Sequence, residues 1–145
     1  MDPLDETLER IVRDWVESEA AGRADIEVKP ATPGGPPAFT VRPRSSAALP
    51  ITLWVADDGA HIGFSIGGGS WWSDHVVLDR ESVRELLGTV AGGRAGEEVR
   101  RVGGRILARR GFVELAPERC LTYGQISLFA WLPGLKWDRI VYQPY

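Results

Sequence analysis

The stretch Ile51-Thr-Leu-Trp-Val-Ala-Asp-Asp-Gly-Ala-His-Ile-Gly-Phe-Ser-Ile66 decides the fold. Ile51, Leu53 and Val55 stand at alternate positions, and so do Ile62, Phe64 and Ile66. A period of two marks strands with one buried face. Between them, Asp57-Asp58-Gly59 makes the turn, because Asp-Gly accepts the positive φ that a tight hairpin demands. Thr52, Trp54 and Ala56 on one strand, with His61, Gly63 and Ser65 on the other, fall on the opposite face. Such a hairpin needs an apolar cover on one side only.

Upstream lies a candidate for that cover. Leu4, Leu8, Ile11, Val12, Trp15 and Val16 recur at helical spacing and predict an amphipathic helix over 2–21. Asp2 can cap its free N–H groups, Pro3 suits the first helical position, and Asp5 and Glu6 favour the positive end of the dipole. Gly22 is the stop. Between helix and hairpin, Ile26 and Val28 mark a short strand, and Phe39 and Val41 a second one closed by Pro43. Thr32–Pro37 and Ser45–Pro50 read as loops.

Downstream, after a Gly67–Asp74 loop, Val83, Leu86, Leu87, Val90 and Ala91 define a second helix, with Asp79 as its cap and Gly92-Gly93 as its end. The tail reads as strands. Val99 and Val102 come first, and Arg105 to Ala108 follows Gly103-Gly104. Arg109-Arg110-Gly111 then reads as a turn into Phe112–Leu115. The last pair would be Leu121–Leu132 and Arg139–Tyr142, joined through Pro133-Gly134. This order lacks strict βαβ alternation, and tight turns favour antiparallel pairing. The expected fold is α+β: one curved antiparallel sheet of about eight or nine strands, with both helices packed on one face.

The chain of 145 residues, 43% apolar and 26% charged, is expected to form a single domain over 1–145. A chain of this length buries roughly two-thirds of its unfolded surface without a metal or disulfide. Cys120 stands alone, which excludes an internal disulfide and any CxxC site and favours a reducing, cytoplasmic setting. The glycine-rich run Ile62–Ser73 is too short to span a bilayer, and the acidic start is unlike a signal peptide. No membrane partner is therefore expected. Fifteen Arg against two Lys, with abundant Gly and Ala, fits a bacterial genome of high G+C content.

The motifs that could carry chemistry are weak. Gly63-Phe-Ser-Ile-Gly67 matches the G-x-S-x-G pattern, but Ser65 falls inside a strand rather than at a strand-to-helix turn. Gly67-Gly68-Gly69 lacks the G-K-[ST] of a phosphate loop. His61, Asp74, His75 and Asp79 do not have metal-ligand spacing. No catalytic residue, metal or cofactor is assigned.

Trp71-Trp72 is the most informative pair. Neighbours on an extended segment point to opposite sides, so one core cannot easily take both indoles. Tryptophan joins a large apolar area to an N–H donor and is enriched at binding hot spots. Trp71, Trp72, His75 and Trp54 are the candidate binding residues. Charge is also uneven: residues 2–27 carry nine acidic and three basic side chains, whereas residues 94–119 carry seven Arg against four Glu. Those arginines could dock an acidic surface, on another protein or on the N-terminal helix of a second copy in a homodimer. A formal net charge of −3 argues against a nucleic-acid partner.

The expectation is a non-catalytic protein-interaction module, in the manner of immunity or antitoxin partners. The alternative is a small-molecule binder or enzyme whose pocket, between sheet and second helix, is lined by the candidate residues. A weak nucleic-acid binder acting through the arginines is the third. The apolar end, with Ile140, Tyr142 and Tyr145, is expected to be bonded into the sheet and required for folding.

Overall fold

The computed structural model describes residues 1–67, 76–115, 119–126 and 136–145. Helix α1 (Pro3–Glu19) leads into strands β1 (Ala24–Lys29), β2 (Ala38–Pro43), β3 (Ile51–Val55) and β4 (Ile62–Ile66). Helix α2 (Arg80–Ala91) precedes β5 (Ala95–Val102), β6 (Arg105–Leu115), β7 (Arg119–Ile126) and β8 (Asp138–Val141). The protein is α+β with antiparallel sheets, and among the described residues no helix is long and apolar enough to cross a membrane.

Helix α1 begins as its sequence requires. The Asp2 carboxylate accepts the Leu4 N–H at 2.9 Å, Pro3 occupies the first turn, and Leu8, Ile11, Val12, Trp15 and Val16 are buried. Leu4 is 41% exposed and lies instead over the hairpin turn, near Gly59. The hairpin also follows its pattern. Leu53 pairs with Phe64 and Val55 with Ile62, and Gly59 at φ 67° turns the chain. Helix α1 contacts β1, β2 and β3, so its apolar stripe and the Ile51–Ile66 hairpin share one core.

Among the described residues the strands form two sheets rather than the expected one. The first runs β1-β2-β3-β4; in the second, β7, β6 and β5 are neighbours and the short β8 lies along the outer side of β5. Neither approaches eight or nine strands. The outer edge of β4 shows why the sheets separate. The Ile62 N–H donates to the Val76 carbonyl at 3.1 Å and His61 bridges Val77, so returning chain occupies that edge before β5 begins.

Nor do the helices share one sheet face. Helix α1 lies on the first sheet, while α2 packs against α1 and against β5 and β6 of the second. Val83, Leu86, Leu87 and Val90 of α2 join Ala95, Val113 and Leu115 in the same core as α1.

Two readings of the tail are also corrected. Arg109-Arg110-Gly111 is not a turn but lies inside β6, where Arg110 pairs with Glu98 and Gly111 with Glu97. Opposite charges across a ladder stabilise a polar run as strand. Strand β8 pairs with β5 rather than β7, matching Gly96 with Val141 and Glu98 with Arg139. The turn at Gly103-Gly104, with both residues at positive φ, does close β5 onto β6.

Beyond β8, the chain ties the layers together. The Tyr145 hydroxyl donates to the Leu49 carbonyl at 2.6 Å, its N–H to Ala91 at 2.9 Å, and its ring meets Trp15 edge-on at 6.4 Å between centroids.

Candidate functional site

Strand alternation sends Leu53 and Val55 into the core and Trp54 to the outer face of the first sheet, away from α1. Trp54 is directly opposite Gly63, and a Cβ at Gly63 would stand 2.3 Å from indole atoms. The ring therefore lies across the glycine and is half-buried. Beside it, the Thr40 and Thr52 hydroxyls are 2.8 Å apart, and Ser65 pairs with Thr52. Farther out on the same face, Arg42 holds Glu27 at 3.0 Å and Arg44 grips both oxygens of Asp25 at 3.0 and 3.2 Å. Those Arg44 hydrogen bonds lower the Asp25 pKa. The result is a flat platform: one broad ring among short hydroxyl side chains, with ion pairs at its edge.

Trp71, Trp72 and His75 lie outside the described residues, as do Asp74 and the Gly68-Gly69 part of the glycine run. The other sequence candidates have structural occupations. His61 Nδ1 is 2.6 Å from Asp58 Oδ2 at the hairpin turn, and Asp79 caps α2 by accepting the Ser82 N–H at 2.8 Å. The hydrogen bond from His61, helped by the Ala60 and His61 N–H groups, lowers the Asp58 pKa to about 2. Ser65 sits within β4, where a nucleophile elbow cannot form. Among the described residues, no group of three His, Cys, Asp or Glu is placed to hold a metal ion.

The arginine-rich strands build a second surface. On one face of β5, β6 and β8, Glu98 accepts from Arg110 at 2.5 and 2.9 Å and from Arg139 at 3.2 Å, and Arg139 also reaches Glu114. Burial alone would raise the Glu98 pKa, but the two guanidinium groups outweigh it and the net shift is downward. Arg100 and Arg110 lie over the Trp137 ring at 4.5 and 4.2 Å, and Arg139 over Phe112 at 4.1 Å. Phe112 in turn covers Gly96, where a Cβ would meet the ring at 3.0 Å. Much of this arginine charge is therefore turned onto neighbouring carboxylates and rings. That is a self-satisfied lattice rather than a stripe open to phosphates.

A third feature was not foreseen. A groove of about 610 Å³ opens between α1 and α2, with Trp15 and Tyr145 among its lining residues. Arg84 of α2 crosses to Glu19 and Ser18 of α1 at 3.3 Å. Glu81, Glu85, Gly88 and Ala91 complete the α2 side. One signal of it was present in sequence, a glycine at position 88 inside a helical pattern. No protein-family model matches the chain, and no match is found among curated proteins or solved structures.

Proposed function

We propose that the protein is a non-catalytic module that binds another protein, in the manner of an immunity or antitoxin partner. The carrying observation is Trp54, laid flat over Gly63 on the sheet face opposite α1. An indole held by a glycine loses little further freedom on binding and offers broad apolar contact with an N–H donor. The Thr40, Thr52 and Ser65 hydroxyls around it can serve a partner's main chain, and the ion pairs beyond form the polar rim typical of interfaces. The chain leaves β4 directly into the segment carrying Trp71 and Trp72, so further indoles follow in sequence from the strand that Trp54 covers.

The test is affinity capture from the source cells with the wild-type chain and with Trp54→Thr as baits. Threonine suits a strand, so the variant should keep its circular dichroism spectrum. A partner retained by the wild type and lost with Trp54→Thr supports the reading. It fails when no protein is retained specifically, or when both baits retain the same set.

A further inference from the structure

Strand β1 leaves one edge of the first sheet without a neighbouring strand among the described residues. The groups it presents there follow from its pairing with β2. The Arg44 N–H donates to the Arg23 carbonyl at 2.9 Å, and Ala24 lies opposite Pro43. Bonded and non-bonded pairs alternate along an antiparallel ladder, so Asp25, Glu27 and Lys29 bond to β2. Pro43, which has no N–H to give, falls at a non-bonded pair. Ile26 and Val28 therefore aim their N–H and C=O groups outward, with no backbone partner among the described residues.

The same edge is short of apolar cover. Along the face on which α1 packs, Ala24 is buried, Ile26 half-buried and Val28 36% exposed. On the other face, Glu27 gives one oxygen to Arg42 and keeps the second, while Asp25 has both oxygens held by Arg44. Lys29 is exposed and has no carboxylate partner among the described residues. A lysine followed by a proline keeps foreign strands off a sheet edge. A strand that pairs here must answer Lys29 with a carboxylate and ask no N–H of Pro30.

We infer that β1 pairs antiparallel with β1 of a second copy of this chain, about a two-fold axis through Val28. Three registers let the outward groups meet, and charge separates them. Ile26 opposite Ile26 sets Asp25 against Glu27 of the second copy. Ile26 opposite Val28 sets the two Glu27 side chains against each other. Val28 opposite Val28 sets each Glu27 against Lys29 of the second copy and covers both exposed valines. The two Val28 residues then exchange N–H···O bonds, and each Ile26 N–H meets the Pro30 carbonyl of the second copy. Helix α1 contacts β1, β2 and β3 and so is centred near β2. The two β2 strands would stand three spacings apart, about 14 Å, which exceeds the roughly 8–10 Å between packed helices. The two four-stranded sheets thus become one, with both helices on the same side.

Sedimentation of the purified chain across a concentration series tests it. Wild type should form dimers. Val28→Pro removes an outward N–H and no bond to β2, so it should keep the wild-type circular dichroism spectrum and lose the dimer. Lys29→Glu sets like charges opposite one another and should raise the dissociation constant about tenfold. Adding Glu27→Lys restores unlike pairs and should bring the constant back. Cysteines read the register directly, in a Cys120→Ser background. Val28→Cys should form an intermolecular disulfide on mild oxidation, because Cα atoms of a bonded pair lie about 5.5 Å apart, within disulfide reach. Glu27→Cys should not.

A wild type that is monomeric at every concentration overturns the inference. So does a dimer that persists in Val28→Pro, one indifferent to Lys29→Glu, or a charge swap that fails to rescue. Cross-linking through Glu27→Cys in place of Val28→Cys would set the strands in another register and likewise overturn it. The readout involves no other protein, so its failure is distinct from a failure of Trp54 to retain a partner.

Discussion

Gly63 and Trp54 act as one unit. A methyl group at Gly63 would collide with the indole, so Gly63→Ala must either lift the ring or bend β4. Overpacking of this kind costs about 1–3 kcal/mol, read as a lower urea midpoint. Adding Trp54→Ala should recover part of that loss, and the non-additivity measures the coupling. Asp58 gives a second expectation. Its folded pKa lies below the ordinary 3.8, at about 2, so its stabilising effect is present above about pH 4 and is lost as pH falls toward 2. Asp58→Asn should therefore flatten the acid limb of stability, measured by thermal melts from pH 5 downward. The sequence made the Asp-Gly turn legible, but not the Asp58–His61 contact, which depends on the path of the turn.

At the scale of elements, the carboxylate of Glu98 organises the second sheet. It binds Arg110 of β6 and Arg139 of β8 at once, so it joins three strands. Glu98→Ala should cost about 1–2 kcal/mol, below the 3–5 of a fully buried pair, because Arg110 and Arg139 are 38% and 50% exposed and can rehydrate. Helix α2 predicts the opposite sign. Gly88→Ala should stabilise by about 0.5–1 kcal/mol, since the added methyl meets open space. Elements with strong periodicity were readable: α1, the β3–β4 hairpin, and α2 with its Asp79 cap. Strand β6 was not, because Arg109-Arg110-Gly111 reads locally as a polar break and becomes strand only opposite Glu97 and Glu98.

For the whole molecule, the division into two sheets was beyond sequence reading. It depends on residues 76–77 reaching the β4 edge and on β8 choosing β5, both of them tertiary outcomes. The groove was hidden for the same reason, since α1, α2 and Tyr145 meet only in the folded chain. The expected need for the last residues agrees with what they hold: β8 pairs with β5, and burial raises the Tyr145 hydroxyl pKa well above that of a free phenol. Deleting residues 139–145 should leave a chain without a cooperative melt. Tyr145→Phe, which strands the Leu49 carbonyl, should cost about 1–2 kcal/mol in urea unfolding.

The bond between Tyr145 and Leu49 joins positions 96 residues apart, and Arg23 meets the Tyr145 main-chain oxygen across 122. Closing such long loops carries an entropic cost before any contact rewards it, so this clasp belongs to the late, slow side of the folding barrier. Weakening it should accelerate unfolding while leaving the refolding rate almost untouched. The molecule's lifetime in the native state should then depend on a latch that forms only after the barrier to folding has been crossed.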